Sequence, residues 1–143
     1  MFEHKEALTL LARSITPNLP HVMLEAVKLM AAVCLVPPDG HEKTLEAITI
    51  AGEIRGTERF SPIVQGLLIK NNEPLRTNCM ALINAIISSA EDLDFKMHLR
   101  NEFMRCGLID IIDVSGNLKA LFYYWYYDNY YCCCCYYRGC SSS

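Results

Sequence analysis

Along residues 1–114 the apolar residues recur three and four positions apart, and no stretch alternates apolar with polar for long. Prolines and glycines interrupt this pattern at intervals of about 10 to 17 residues. Such a chain can bury its apolar side chains only by packing helix against helix. In "EHKEALTLLARSI" (3–15), Ala7, Leu8, Leu11 and Ile15 share one face. The two prolines of "TPNLP" end it. "HVMLEAVKLMAAVCLV" (21–36) follows directly after Pro20, and proline suits a first helical turn. That segment is apolar nearly all round, so it is expected to lie centrally. "PPDG" stops it. Asp39 is expected to cap "HEKTLEAITIAGEI" (41–54), and Gly56 to close it. Thr57 is expected to cap "ERFSPIVQGLLIK" (58–70), with Pro62 in its first turn or at a kink. The turn "NNEP" leads to a helix starting near Pro74. Ser89 is the expected cap of the next, with Glu91, Asp92 and Asp94 near its positive end. Gly107 is a left-handed cap after Cys106, and "LIDIIDV" opens one more helix.

The expected fold is all-α. Two segments also resemble each other: "LEAVKLMAAVCLV" (24–36) lies over "LRTNCMALINAII" (75–87), each after a proline-bearing turn. A period of about 50 fits helical solenoid repeats, slightly longer than the ~40–47 residues of armadillo and HEAT units.

The stretch "TNCMALINAIISS" (77–89) has two unlike faces. At ~100° per residue, Leu75, Cys79, Leu82 and Ile86 form a seam flanked by Ile83. Opposite lie Thr77, Ala81, Asn84 and Ser88, with Ala85 and Asn78 beside them. Small and short polar side chains make a shallow trough in which another helix can lie, with the Asn84 amide available to its polar groups. The same pattern also fits close approach by a neighbouring helix of the fold, with Asn84 a satisfied core amide.

Composition narrows the function classes. The net charge is -3 with both signs interspersed, which argues against a nucleic-acid surface. The first residues do not read as a secretory signal, and no apolar run approaches the ~20 residues of a spanning helix. "HEKTLE" lacks the second histidine of a zinc protease motif, there is no glycine-rich phosphate loop, and no nucleophile–base set stands out. Cys34, Cys79 and Cys106 read as reduced core thiols. No cofactor or metal is expected. All eight tyrosines and the single tryptophan lie between Tyr123 and Tyr137, together with four of the eight cysteines; Cys140 follows. That step divides the chain into a helical region, 1–114, and an aromatic, cysteine-rich tail, 115–143. A zinc site on Cys132, Cys135 and Cys140 lacks histidine and regular spacing, and Asp128 and Asn129 interrupt any membrane anchor. The tail is read as disordered or as an artefactual or alternatively spliced end, and as prone to aggregate.

Three blocks carry a family resemblance: "LEAVKLMAAVCLVPPDGHEKTLEAIT", "ERFSPIVQGL" and "ALINAIISSAEDLDFKMHLRNEFMRCGLIDII". In order and spacing, over roughly residues 5 to 113, they resemble the N-terminal inhibitory (formin homology 3) region of Diaphanous-type formins. The resemblance implies a partial, armadillo-like right-handed helical solenoid, truncated at both ends. It implies a binding module rather than an enzyme, one that holds the formin's C-terminal autoregulatory amphipathic helix in a groove. Actin assembly would thereby be controlled, indirectly, under a Rho-family GTPase whose contact surface lies mostly upstream. The protein would be cytoplasmic and cytoskeleton-associated. The block "LINAI" carries over Leu82, Ala85 and Asn84 as groove residues, with Ala81 and Ser88 on the same trough. Met30, Val33 and Cys34 would come from the neighbouring inner helix, and His41 from the rim. On this reading Ala85→Asp abolishes peptide binding and spares the fold. The alternative is a generic armadillo-like scaffold for other peptides.

Overall fold

The computed structural model describes residues 2–114. It is an all-α, armadillo-like structure: among the described residues all regular structure is helical. The helices are α1 (Phe2–Arg13), α2 (Pro20–Cys34), α3 (Gly40–Arg55), α4 (Ser61–Gly66), α5 (Glu73–Ser88) and α6 (Leu93–Phe103). A π-type turn over Met104–Leu108 follows, then α7 (Ile109–Val114). The chain divides into two compact units, 1–108 and 109–143, and α7 is the described part of the second. The reading of residues 115–143 as a non-family tail lies outside the described residues.

Local chemistry accounts for most boundaries. α2 begins on Pro20 and α4 carries Pro62 in its first turn, where a missing N–H costs nothing. The Asn72 side chain accepts from Leu75 N at 3.3 Å and so caps α5. Gly56, at φ 70°, ends α3 in the left-handed conformation that glycine adopts freely. Three expected caps are not used. Asp39 precedes α3 but makes no cap bond; its carboxylate pairs with Lys43 at 3.1 Å. Thr57 starts no helix, because its N–H is spent on Gly52 O at 3.1 Å and α4 waits until Ser61. Ser89 ends α5 instead of opening α6, which starts after Asp92.

Within the first unit packing runs as a succession: α1 on α2 and α3, α2 on α3 and α5, α5 on α4 and α6. The core seam expected on α5 is present, with Leu75, Cys79, Leu82, Ile83 and Ile86 fully buried. α2 is less enclosed than its apolar sequence suggested. Met23, Val27 and Met30 are buried, but Val22, Leu29, Leu35 and Val36 are exposed.

One polar clamp holds α6 to the corner between α3 and α4. Arg59 makes two bonds to the Glu102 carboxylate, at 2.7 and 2.6 Å, and a third to Thr49 Oγ1 at 3.0 Å. Its guanidinium lies 4.6 Å from the Phe60 ring centroid, and Phe60 stacks on Phe103 at 4.0 Å. Both charged side chains are only about one-fifth exposed. Removing one leaves the other partly desolvated, so Glu102→Gln is expected to cost about 2 kcal/mol in urea unfolding. An unchanged midpoint would mean the clamp contributes nothing.

Candidate peptide-binding groove

The sequence-derived groove residues separate into two groups. Ala81, Asn84 and Ser88 are exposed on α5, in line with Thr77. Leu82 and Met30 are fully buried, Cys34 is 2% exposed and Ala85 is 6% exposed. These four side chains belong to the core between α2 and α5, so they are withheld from any visiting helix. Val33 is half-buried. The exposed positions of α2 are His21, Val22, Glu25, Lys28, Leu29 and Ala32, joined by Leu35 and Val36 beyond its last turn.

α2 and α5 lie side by side and run in the same direction. Near their starts, Met23 and Cys79 meet over Gly66: a Cβ on that glycine would stand 2.5 Å from Met23 Cε and 2.7 Å from Cys79 Sγ. At their ends, the Ser89 side chain is within hydrogen-bonding reach of the Cys34 thiol. Their burial patterns superpose with Glu25 on Thr77, Leu29 on Ala81, Ala32 on Asn84 and Val36 on Ser88. That is one residue away from the register that best matches apolar residue types. Equivalent positions on parallel neighbours face the same way, so the two exposed strips form one surface.

The strips differ in relief. On α5 the strip is narrow and made of Thr77, Ala81, Asn84 and Ser88, with buried side chains on either side. Along α2 and just past its end it carries Leu29, 51% exposed, Leu35, 63% exposed, and Val36, 56% exposed. A low floor beside raised aliphatic side chains suits an amphipathic helix, whose anchors at i, i+3, i+4 and i+7 need both apolar contact and room.

His41 is half-buried at the rim. Its Nε2 lies 2.7 Å from Ile86 O, and its ring meets Phe95 edge-on with centroids 6.1 Å apart. A carbonyl only accepts, so Nε2 carries the proton and donates. The imidazole thereby ties the start of α3 to the last turn of α5.

The described thiols are not reactive groups. Burial pushes Cys79 up to about 12, and burial together with the hydrogen bond to Glu58 takes Cys106 to about 12. Cys34 is raised by burial, partly offset by Ser89. Cys106 Sγ donates to Glu58 Oε2 at 3.1 Å. At pH 8, iodoacetamide should therefore leave these three cysteines unmodified in the native chain and label them after denaturation, as read by peptide mapping. Because the folded thiols titrate above the unfolded ones, their contribution to stability is complete below about 9. It falls as pH rises toward 12. Rapid native labelling of Cys106 would contradict its placement. Among the described residues, no group of three His, Cys, Asp or Glu could hold a metal ion, and no helix is long and apolar enough to cross a membrane.

The chain matches the Diaphanous FH3 domain model over residues 41–120. The chain belongs to the Diaphanous FH3 domain family. It is 49% identical to protein diaphanous homolog 3 of Mus musculus over 118 residues, covering 82% of this chain and 10% of that protein. It is 50% identical to protein diaphanous homolog 2 of Mus musculus over 107 residues, with 73% and 10% covered. With protein diaphanous of Drosophila melanogaster the identity is 38% over 118 residues, with 78% and 11% covered. The chain thus spans about a tenth of the length of these relatives. The FH3 match takes in α3 to α7 and therefore the α5 floor of the groove.

Proposed function

We propose that this FH3 region is a regulatory binding module, not an enzyme, and that its α2–α5 face receives the amphipathic autoregulatory helix from the C-terminal part of a Diaphanous-class formin. Occupation of the face would restrain actin assembly, and a Rho-family GTPase would relieve the restraint. The observation that carries this reading is the open strip of Ala81, Asn84 and Ser88 beside exposed Leu29, Ala32 and Val36. Half-exposed aliphatic side chains gain on the order of 1 kcal/mol each when a guest covers them. Asn84 offers an amide that can bond polar groups on the guest and fix its register.

The test is a fluorescence-anisotropy titration of the chain into a labelled C-terminal amphipathic peptide of a Diaphanous-class formin. Saturable binding that an unlabelled copy displaces supports the reading. Equal affinity for a scrambled amphipathic peptide of the same composition would favour a generic peptide scaffold. No binding of either peptide would end the proposal.

A further inference from the structure

We propose that Thr16 is an acceptor for a proline-directed serine/threonine kinase, and that the phosphate formed there is received by Arg55, with the Arg13 charge nearby. Two hydroxyl–proline pairs occur in the chain, Thr16–Pro17 and Ser61–Pro62. Thr16 lies in the irregular segment between α1 and α2, and a residue before proline favours the extended backbone that a kinase cleft takes. Ser61 lies inside the first turn of α4, where its Oγ accepts from Gln65 Nε2 at 3.3 Å. It cannot be presented in extended form without unwinding that turn.

Thr16 borders a cavity of about 200 Å3 whose polar side chains are Thr16, Asn18, Arg55, Thr57, Ser61 and Gln65, while the Arg13 side chain lines a separate one with Lys5, Glu6 and Glu46. Arg55 is the charged residue of the Thr16 cavity. Its Nη2 donates to Ala12 O at 3.3 Å and to Arg13 O, which anchors the guanidinium at the end of α1, three residues before Thr16. Burial and then the nearby Arg13 charge push Arg55 below its ordinary pKa, so two cations sit close together. Among the described residues neither has a carboxylate at ion-pair distance. A phosphothreonine brings about -1.5 to -2 charges and three acceptor oxygens to that place. It would join the α1–α2 connection to the end of α3 through charge-assisted bonds. In the transfer, Thr16 Oγ1 forms a bond to the γ-phosphorus of ATP, the bond to the bridging oxygen breaks, ADP leaves, and the hydroxyl proton passes to the kinase's base.

The folded full chain would be incubated with a purified proline-directed kinase and MgATP, and the phosphate mapped by tandem mass spectrometry. One phosphate on Thr16 is expected, absent from Thr16→Val and retained in Ser61→Ala. The modified chain should melt roughly 2–4 °C higher, a gain lost in Arg55→Gln and reduced in Arg13→Gln. Because Arg55 also holds the end of α1, the 31P resonance of the phosphorylated wild-type chain gives a second reading. Its titration midpoint should fall below the value of about 6 typical of an unconstrained phosphothreonine, which is the value the same chain should show in urea. Phosphate on Ser61 alone, or none on the folded chain, would overturn the assignment of the acceptor. Matching midpoints in native and urea-unfolded chains would overturn the arginine receptor.

Discussion

Ala81→Asp should weaken the autoregulatory peptide by about 100-fold, or roughly 2.7 kcal/mol, while leaving the melting temperature of the free chain within a degree or two. In the free chain position 81 faces solvent, so an added carboxylate stays hydrated and costs the fold little. A docked helix would strip that hydration and set the charge against aliphatic surface without a compensating partner. Ala32→Asp, at the equivalent position of α2, should behave alike. Ala85→Asp makes the contrast. Ala85 is 6% exposed in the α2–α5 core, so a carboxylate there should unfold the chain and abolish binding only as a by-product. Calorimetry and circular dichroism on the three variants separate surface from core. Peptide binding by Ala81→Asp at wild-type strength would remove the α5 strip from the interface.

Gly40→Ala makes the closest backbone overlap among the described glycines. A Cβ at this position would stand 2.1 Å from Val33 O and 3.2 Å from Val33 C, both backbone atoms of α2 that no rotamer change can move. Gly40 N also donates to Val36 O at 2.9 Å, which holds the first residue of α3 against the end of α2. Relieving the overlap means breaking that bond and lifting α3 off α2. The expected cost is about 3 kcal/mol, a fall of roughly 10 °C in melting temperature. Gly56→Ala is the control. Its φ of 70° strains any Cβ, yet nothing lies within 4 Å, so about 1 kcal/mol is expected. A Gly40→Ala variant no less stable than Gly56→Ala would show that the two helices separate more freely than their packing indicates.

The helical character of the array, the proline starts of α2 and α4, the Gly56 end of α3 and the buried seam of α5 all follow from local residue chemistry. They were legible because each depends on neighbours within one or two turns. The failures have long-range causes. Thr57 has the right side chain for a cap, but its backbone is committed to Gly52. The segment after it stays irregular until Ser61, and within it Arg59 bonds to Glu102, 43 residues away. Burial was not legible for α2 for a related reason: hydrophobicity says which side chains prefer burial, but exposed apolar residues are common, and Leu29, Leu35 and Val36 face outward while Met30 and Cys34, which the family resemblance offered as groove residues with Val33, are buried. Ala81, Asn84 and Ser88 are exposed on α5, as their small and short polar side chains allow, and the equivalent positions of α2 and its continuation, Leu29, Ala32 and Val36, are exposed too.

The fastening of α2 to α5 at both ends sets how the face can discriminate. Gly66 lets Met23 and Cys79 meet towards one end, and the Ser89 side chain lies beside the Cys34 thiol at the other. Two rods pinned at head and foot keep a constant gauge before any visitor arrives, so little ordering remains to be done on docking. On the proposed function such a cradle would not mould itself to its guest but would select by calibre: a helix with small residues along its line of contact would seat fully, and one a single ring too wide would be turned away.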